Sequence, residues 1–181
     1  MKNHAIVNLV FRKSVVFLLA SLFLISCSKE DDDPTPPAES QEISFEVRLV
    51  KMVSLDIKES EGPHLEVYGT INANLVRGNV TEENVLWSTG ASEYISVGLS
   101  DFPMSAAVTF TVSPENISNS MMEMTSALME HDFSESNPDD NLSPETISAP
   151  LSAVSSTSTF QVVHDDSSGQ HVQVTYSITR L

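Results

Sequence analysis

The chain has 181 residues, with 9 Lys and Arg against 25 Asp and Glu, for a formal charge of −16. That balance excludes nucleic acid as a partner, because phosphate is repelled. Aromatic residues make up 7%, and Cys27 is the only cysteine, so an internal disulfide and a cysteine-based zinc cluster are excluded and any core is aliphatic.

The first segment is a leader. Lys2, Arg12 and Lys13 precede an apolar run from Val15 to Ile25, broken only by Ser21, which gives a charged region followed by a hydrophobic one over residues 1–26. A helix of that length is too short for the roughly 20 residues that a bilayer core needs, so the run predicts export rather than a permanent span. Its end, Leu24-Ile25-Ser26-Cys27, resembles the lipobox of bacterial lipoproteins. The resemblance implies diacylglycerol on the Cys27 thiol, which makes Cys27 a membrane anchor; two or three acyl chains hold a protein where one holds it only marginally.

Residues 27–42 follow as a linker. Ser28-Lys29-Glu30-Asp31-Asp32-Asp33 with Pro34, Pro36 and Pro37 resembles the acidic surface-export tag of Bacteroidota lipoproteins, which implies an outer-membrane location facing the cell exterior. Its composition also predicts a disordered, extended spacer.

Residues 43–181 are one domain-sized unit without an internal repeat. Ile43, Phe45, Val47, Leu49, Val53, Leu55 and Ile57 alternate with polar partners, broken only by Lys51, and predict a half-buried strand. Leu65, Val67, Gly69, Ile71, Ala73 and Leu75 repeat the pattern after Gly62-Pro63, which predicts a hairpin with the first strand. Val80 to Leu99, counted as one bent strand and carrying Trp87, comes next, then Ala107 to Val112. In Met121, Met122, Met124, Leu128 and Met129 both helical and strand spacings fit, and strand is chosen with core filling as the role of the methionines. The stretch between the Glu130–Asn141 and Pro150–Thr157 loops, then Ser158 to Val163 and Val172 to Ile178, complete an all-β, eight-stranded antiparallel sandwich.

In that order, the connections after the first, third, fifth and seventh strands emerge at one pole, and they hold most of the acid: Asp56, Glu59 and Glu61; Asp101; the loop from Glu130 through Asp132, Asp139 and Asp140; and Asp165-Asp166. Clustered carboxylates repel one another unless a cation neutralises them, and calcium takes oxygen ligands of this kind. The alternative is that acidic loops keep an exported protein soluble. A helix-loop-helix calcium loop is absent, so a calcium site would be built from separate loops.

Met52 to Asp56 and Gly62 to Tyr68, with the block from Leu128 to Leu142, resemble the calcium/lipid-binding β-sandwich domain of protein kinase C and synaptotagmin. In its third loop that family places an Asp-x-Asp pair, a further Asp some six residues on, and an apolar step; here stand Glu130-x-Asp132, Asp139 or Asp140, and Leu142. In the first loop Gly62 replaces the family's Asp before proline, leaving Asp56, Glu59 or Glu61 as substitutes. The resemblance implies calcium as a candidate cofactor, with Asp56, Glu59, Glu61, Glu130, Asp132, Asp139 and Asp140 as candidate ligands.

Neither His-Glu-x-x-His nor Gly-x-Ser-x-Gly occurs. Paired carboxylates for glycoside cleavage lack an aromatic-lined cleft. The expectation is therefore a non-catalytic surface lipoprotein with a binding domain for a protein or glycan partner, held to the membrane through its anchor. The alternatives are an accessory or structural subunit of an outer-membrane assembly and, ranked below it, an enzyme acting on glycans or lipids.

Overall fold

The computed structural model describes residues 41–57, 62–132 and 138–181. The leader, Cys27, the linker up to residue 40, Glu59 and Glu61 lie outside the described residues. Ser40–Leu181 forms one compact unit.

Among the described residues, ten antiparallel strands build two sheets: β1 (Ile43–Asp56), β2 (Leu65–Arg77), β3 (Val80–Thr89), β4 (Ile95–Val97), β5 (Phe102–Pro103), β6 (Ala107–Val112), β7 (Ser120–Glu130), β8 (Asp140–Pro150), β9 (Thr157–Asp165) and β10 (His171–Arg180). In the first sheet β1 sits between β10 and the pair β5 and β6, with β9 beyond β10. In the second, β2 sits between β7 and the pair β3 and β4, with β8 beyond β7. The fold is an all-β sandwich, as the alternation predicts.

The strand count rises from eight to ten because two edge positions are each filled by two pieces. β3 pairs with Gly69–Arg77 and β4 with Leu65–Val67, on the same side of β2. A single 3₁₀ turn, Ala91–Glu93, divides the stretch expected as one bent strand. β5 and β6 likewise share one side of β1.

Two sequence expectations are corrected. β1 and β2 lie in different sheets, so they form no hairpin: β10 and the β5–β6 pair already occupy both sides of β1. The alternation in β1 also changes face midway. Phe45, Val47 and Leu49 are buried, but beyond them Met52 and Ser54 point inward, and Leu55 is exposed. The cause is a bulge between Leu49 and Lys51, which inserts a residue and reverses every later side chain. Lys51 therefore stays outside, where it meets Asp101 at 2.8 Å.

The core closes between the sheets: Phe45, Phe110, Val174, Tyr176 and Ile178 from one, and Leu65, Ile71, Leu75, Met122, Met124, Leu128 and Leu142 from the other, all fully buried or within 1% of it. The methionine segment is a strand whose even-numbered residues fill the core, while Met121 faces out. Trp87 packs half-buried against the core from the edge strand β3.

The ladders fix which loops share an end. Asp56 lies opposite His171, Leu65 opposite Val97, Val67 opposite Glu130, and Glu130 opposite Asp140. The ends of β1, β4, β7 and β9 thus meet at one pole. Ile43, opposite Val112, and Arg77, opposite Ser120, belong to the other.

Candidate metal-binding pole

At the first pole, the last inward position of β7 is Glu130, which is 1% exposed. Its direct cross-strand neighbour on β8 is Asp140. Like charges placed directly opposite in a ladder are destabilising, so this pairing works against the sheet that contains it. Asp132 lies two residues on from Glu130, the strand period that keeps side chains on one face. One carboxylate oxygen each from Glu130, Asp132 and Asp140 lies within 4.8 Å of the others.

That spacing fits a single calcium ion. Oxygen ligands stand about 2.3–2.6 Å from calcium, so ligands across one ion are at most about 5 Å apart. The Asp132 Oδ2 atom is buried without a hydrogen-bond partner, the state of a carboxylate oxygen lacking its counter-charge. Glu130, Asp132 and Asp140 are the residues that would hold the ion.

Asp139, one residue before Asp140, points elsewhere. Its carboxylate accepts from the Tyr68 hydroxyl at 2.6 Å, from His131 Nδ1 at 3.1 Å and from the Asp132 amide at 3.1 Å. The Tyr68 bond, followed by those from Asp132 and His131, holds the Asp139 carboxyl below the usual carboxylate range against the opposing effect of burial. The same bond, with burial and the charges of Asp139 and Glu130, pushes the Tyr68 phenol up to about 12.

The His131 amide donates to the Glu66 carbonyl at 2.8 Å, continuing the β7–β2 pairing past the strand end. Its ring stands edge-on to Tyr68, with centroids 6.3 Å apart, and tilted against Tyr94 at 5.6 Å. Tyr68, Tyr94, His131 and Asp139 therefore form a braced wall beside the three carboxylates.

The other sequence candidates fall outside the trio. Asp56 ends β1 on the opposite sheet, exposed and in register with His171. Asp101 is neutralised by Lys51. Asp166 is used within its own turn: its carboxylate takes the Ser168 and Gln170 amides at 2.8 Å each, and the Ser168 hydroxyl. Burial raises its pKa, yet these bonds together leave it lowered.

Sequence reasoning misses Tyr68 and Tyr94. The one signal for Tyr68 is an aromatic residue on the polar face of β2, directly before Gly69.

No protein-family model matches the chain, and no curated protein matches it. Its structural neighbours include C2 domains. A C2 domain of plant Extended Synaptotagmin 1 aligns at TM-score 0.43 and 9% identity, over 76% of this chain and 93% of that one. A structure of CC2D1B gives 0.47 and 8%, over 79% of this chain and 57% of that one. A C2 domain protein from Ramazzottius varieornatus gives 0.31 and 13%, over 78% and 91%. The assignment to a β-sandwich stands on the ladders of this chain itself.

Proposed function

We propose that the protein is a non-catalytic outer-membrane lipoprotein, anchored through acyl chains on Cys27, whose β-sandwich binds a protein or glycan partner at its carboxylate pole with the help of calcium. The observation that carries this reading is the opposition of Glu130 and Asp140 across one ladder, with Asp132 within ligand distance of both. Such an arrangement costs stability by itself and is relieved by a divalent cation. Calcium bound there would offer its remaining coordination positions to oxygen atoms of a partner.

The linker enters the domain at Ile43, which lies at the pole away from the carboxylates.

Calorimetry and thermal unfolding of the unit from Ser40 onward, in calcium and in chelator, test the metal part. Binding with a calcium-dependent rise in Tm supports it, since a ligand of the native state must stabilise that state. Loss of both in Asp132→Asn and Asp140→Asn places the ion among these residues. A Tm identical in calcium and chelator overturns it. Release of the Cys27→Ala protein from the membrane fraction tests the anchor; retention overturns that part.

A further inference from the structure

An antiparallel sandwich has exposed edges, and natural sheets guard such edges with prolines, charges, bulges or short strands. Three of the four edge positions are guarded in these ways. β8 carries Pro144 and Pro150, an exposed or half-exposed Asp140 and Glu145, and a bulge in its pairing with β7. β3 carries Glu82 and Glu83 and a bulge opposite Ile71. The fourth strand position of the first sheet is split into β5 and β6, and β6 spans only Ala107–Val112 with Pro103 before it and Pro114 after it.

β9 has only one of these devices, a single charged residue, Asp165, at its very end. Thr157–Asp165 contains no proline, lysine or glutamate, and it pairs with β10 through nine consecutive residues without a register shift. Beyond β10 it has no further ladder partner among the described residues. Phe160 and Val162 face the core but remain only partly buried at this open side, and Val163 is 40% exposed on the outer face.

We propose that β9 is a self-association edge, and that its occupant is β9 of a second copy of this chain, running antiparallel about a two-fold axis at Gln161. The sequence is self-complementary in that register. Phe160 lies opposite Val162 of the other copy, an aromatic and β-branched pair that covers what each leaves exposed. Thr159 meets Val163, Ser158 meets His164, Thr157 meets Asp165, and Gln161 meets itself, so no two like charges face each other. The equivalent pairing of β8 about its midpoint would set Glu145 against Glu145.

The charge of the whole molecule favours the same geometry. Antiparallel docking sends the two carboxylate poles to opposite ends, which keeps the acidic loops apart in a chain of net charge −16. The contact is isologous and uses up the unguarded edge of both copies, so it closes as a dimer and does not propagate into a fibre.

Sedimentation of the unit from Ser40 onward, from micromolar to submillimolar concentration, tests the assignment. The expected result is a monomer–dimer equilibrium that strengthens with salt as the net negative charge is screened. Gln161 is exposed, so its replacement leaves the core intact. Gln161→Lys and Gln161→Glu should each weaken self-association at least about tenfold, by setting like charges face to face. An equimolar mixture of the two variants should dimerise again. A monomer at every concentration overturns the proposal, and so does a dimer that persists in Gln161→Lys, because it must use another surface.

Discussion

His131 and His164 lie close to opposite sides of the same strand, β7, and their surroundings differ in almost every respect. His131 sits just past the end of β7, against Asp139 and between two tyrosine rings, at the acidic pole. His164 is fully buried, with Nε2 2.9 Å from the Ser126 hydroxyl and Nδ1 2.8 Å from the Ser143 carbonyl. It belongs to β9 in one sheet and bonds to β7 and β8 in the other, so it joins the two layers. Burial lowers its pKa, an effect opposed by the Ser143 carbonyl and the charges of Glu145 and Asp165. Burial also pushes the Tyr176 phenol up to about 12, which the Ser126 hydroxyl partly offsets. The interior thus holds polar groups in their neutral forms, while four residues further along β7 the pole gathers negative charge. One strand serves both because the opposite sheet covers its inward face at Ser126 through His164, whereas at its end Glu130 meets Asp132 and Asp140.

The largest expected disruption comes from the residue set between these two regions. Gly69 pairs with Leu128, midway between Ser126 and Glu130, and has φ +133. A Cβ there would lie 2.2 Å from the Ala127 carbonyl oxygen and 3.0 Å from Leu128 Cα, both backbone atoms that cannot turn aside. Gly69→Ala combines that overlap with a backbone conformation costly for an L residue, so a loss of about 3 kcal/mol is expected in urea unfolding. Calcium binding should fall with it, since the displaced segment carries Glu130.

The core side of the comparison is tested by pH. The folded pKa of His164 is lowered, so between the unfolded value near 6.5 and the lower folded value the unfolded chain binds a proton that the native chain refuses. Its contribution is complete above pH ~6.5 and is lost as pH falls below it, at up to about 1.4 kcal/mol per pH unit. Asp139 and Asp166 have lowered folded values too. Their contributions are lost only as pH falls below the ordinary carboxylate value, in a separate and more acid window. Unfolding midpoints between pH 7 and 5 measure the histidine; His164→Gln should flatten that slope, and an unchanged slope would assign it to another group.

How far these features are legible in advance follows from what alternation encodes. It gives the face of each residue, so β2, whose pattern runs without interruption, is legible in full, and the methionine strand is legible once strand spacing is preferred to the helical spacing that also fits it. It does not give the partner strand, which is why it suggests a hairpin between β1 and β2 where the chain crosses between sheets. The bulge before Lys51 is hidden because Val53 and Leu55 are more apolar than Met52 and Ser54, which replace them on the core face; a single lysine marks the place. At the pole, Glu130 and Asp132 are legible by their spacing. Asp139 and Asp140 are not separable, because only the β7–β8 register decides that Asp140 joins the carboxylates while Asp139 turns to Tyr68.

That division of labour supplies the next test. Tyr68→Phe removes the hydroxyl that Asp139 accepts, and a hydrogen bond to a carboxylate at a partly exposed site makes an expected loss of about 1 kcal/mol. The Asp139 pKa should move back toward the ordinary carboxylate value, as followed by NMR titration. Calcium affinity should fall only slightly, because the three proposed ligands keep their places. A complete loss of calcium binding would instead make Tyr68 and Asp139 part of the metal site.

The smallest effect on stability carries the sharpest distinction. Asp132→Asn removes one negative charge from the trio while keeping the shape of the side chain. In chelator the substitution relieves repulsion with Glu130 and Asp140, so stability should stay level or rise, by less than about 1 kcal/mol. In calcium the order should reverse, because the wild type gains binding free energy that the variant has lost. A residue serving only the fold would lower Tm in both conditions alike, and the same sign in chelator and calcium would therefore remove Asp132 from the metal site. Crossing of the two Tm series would show that the pole keeps a local cost in the native state for the sake of an ion, which the core around His164 is built to exclude.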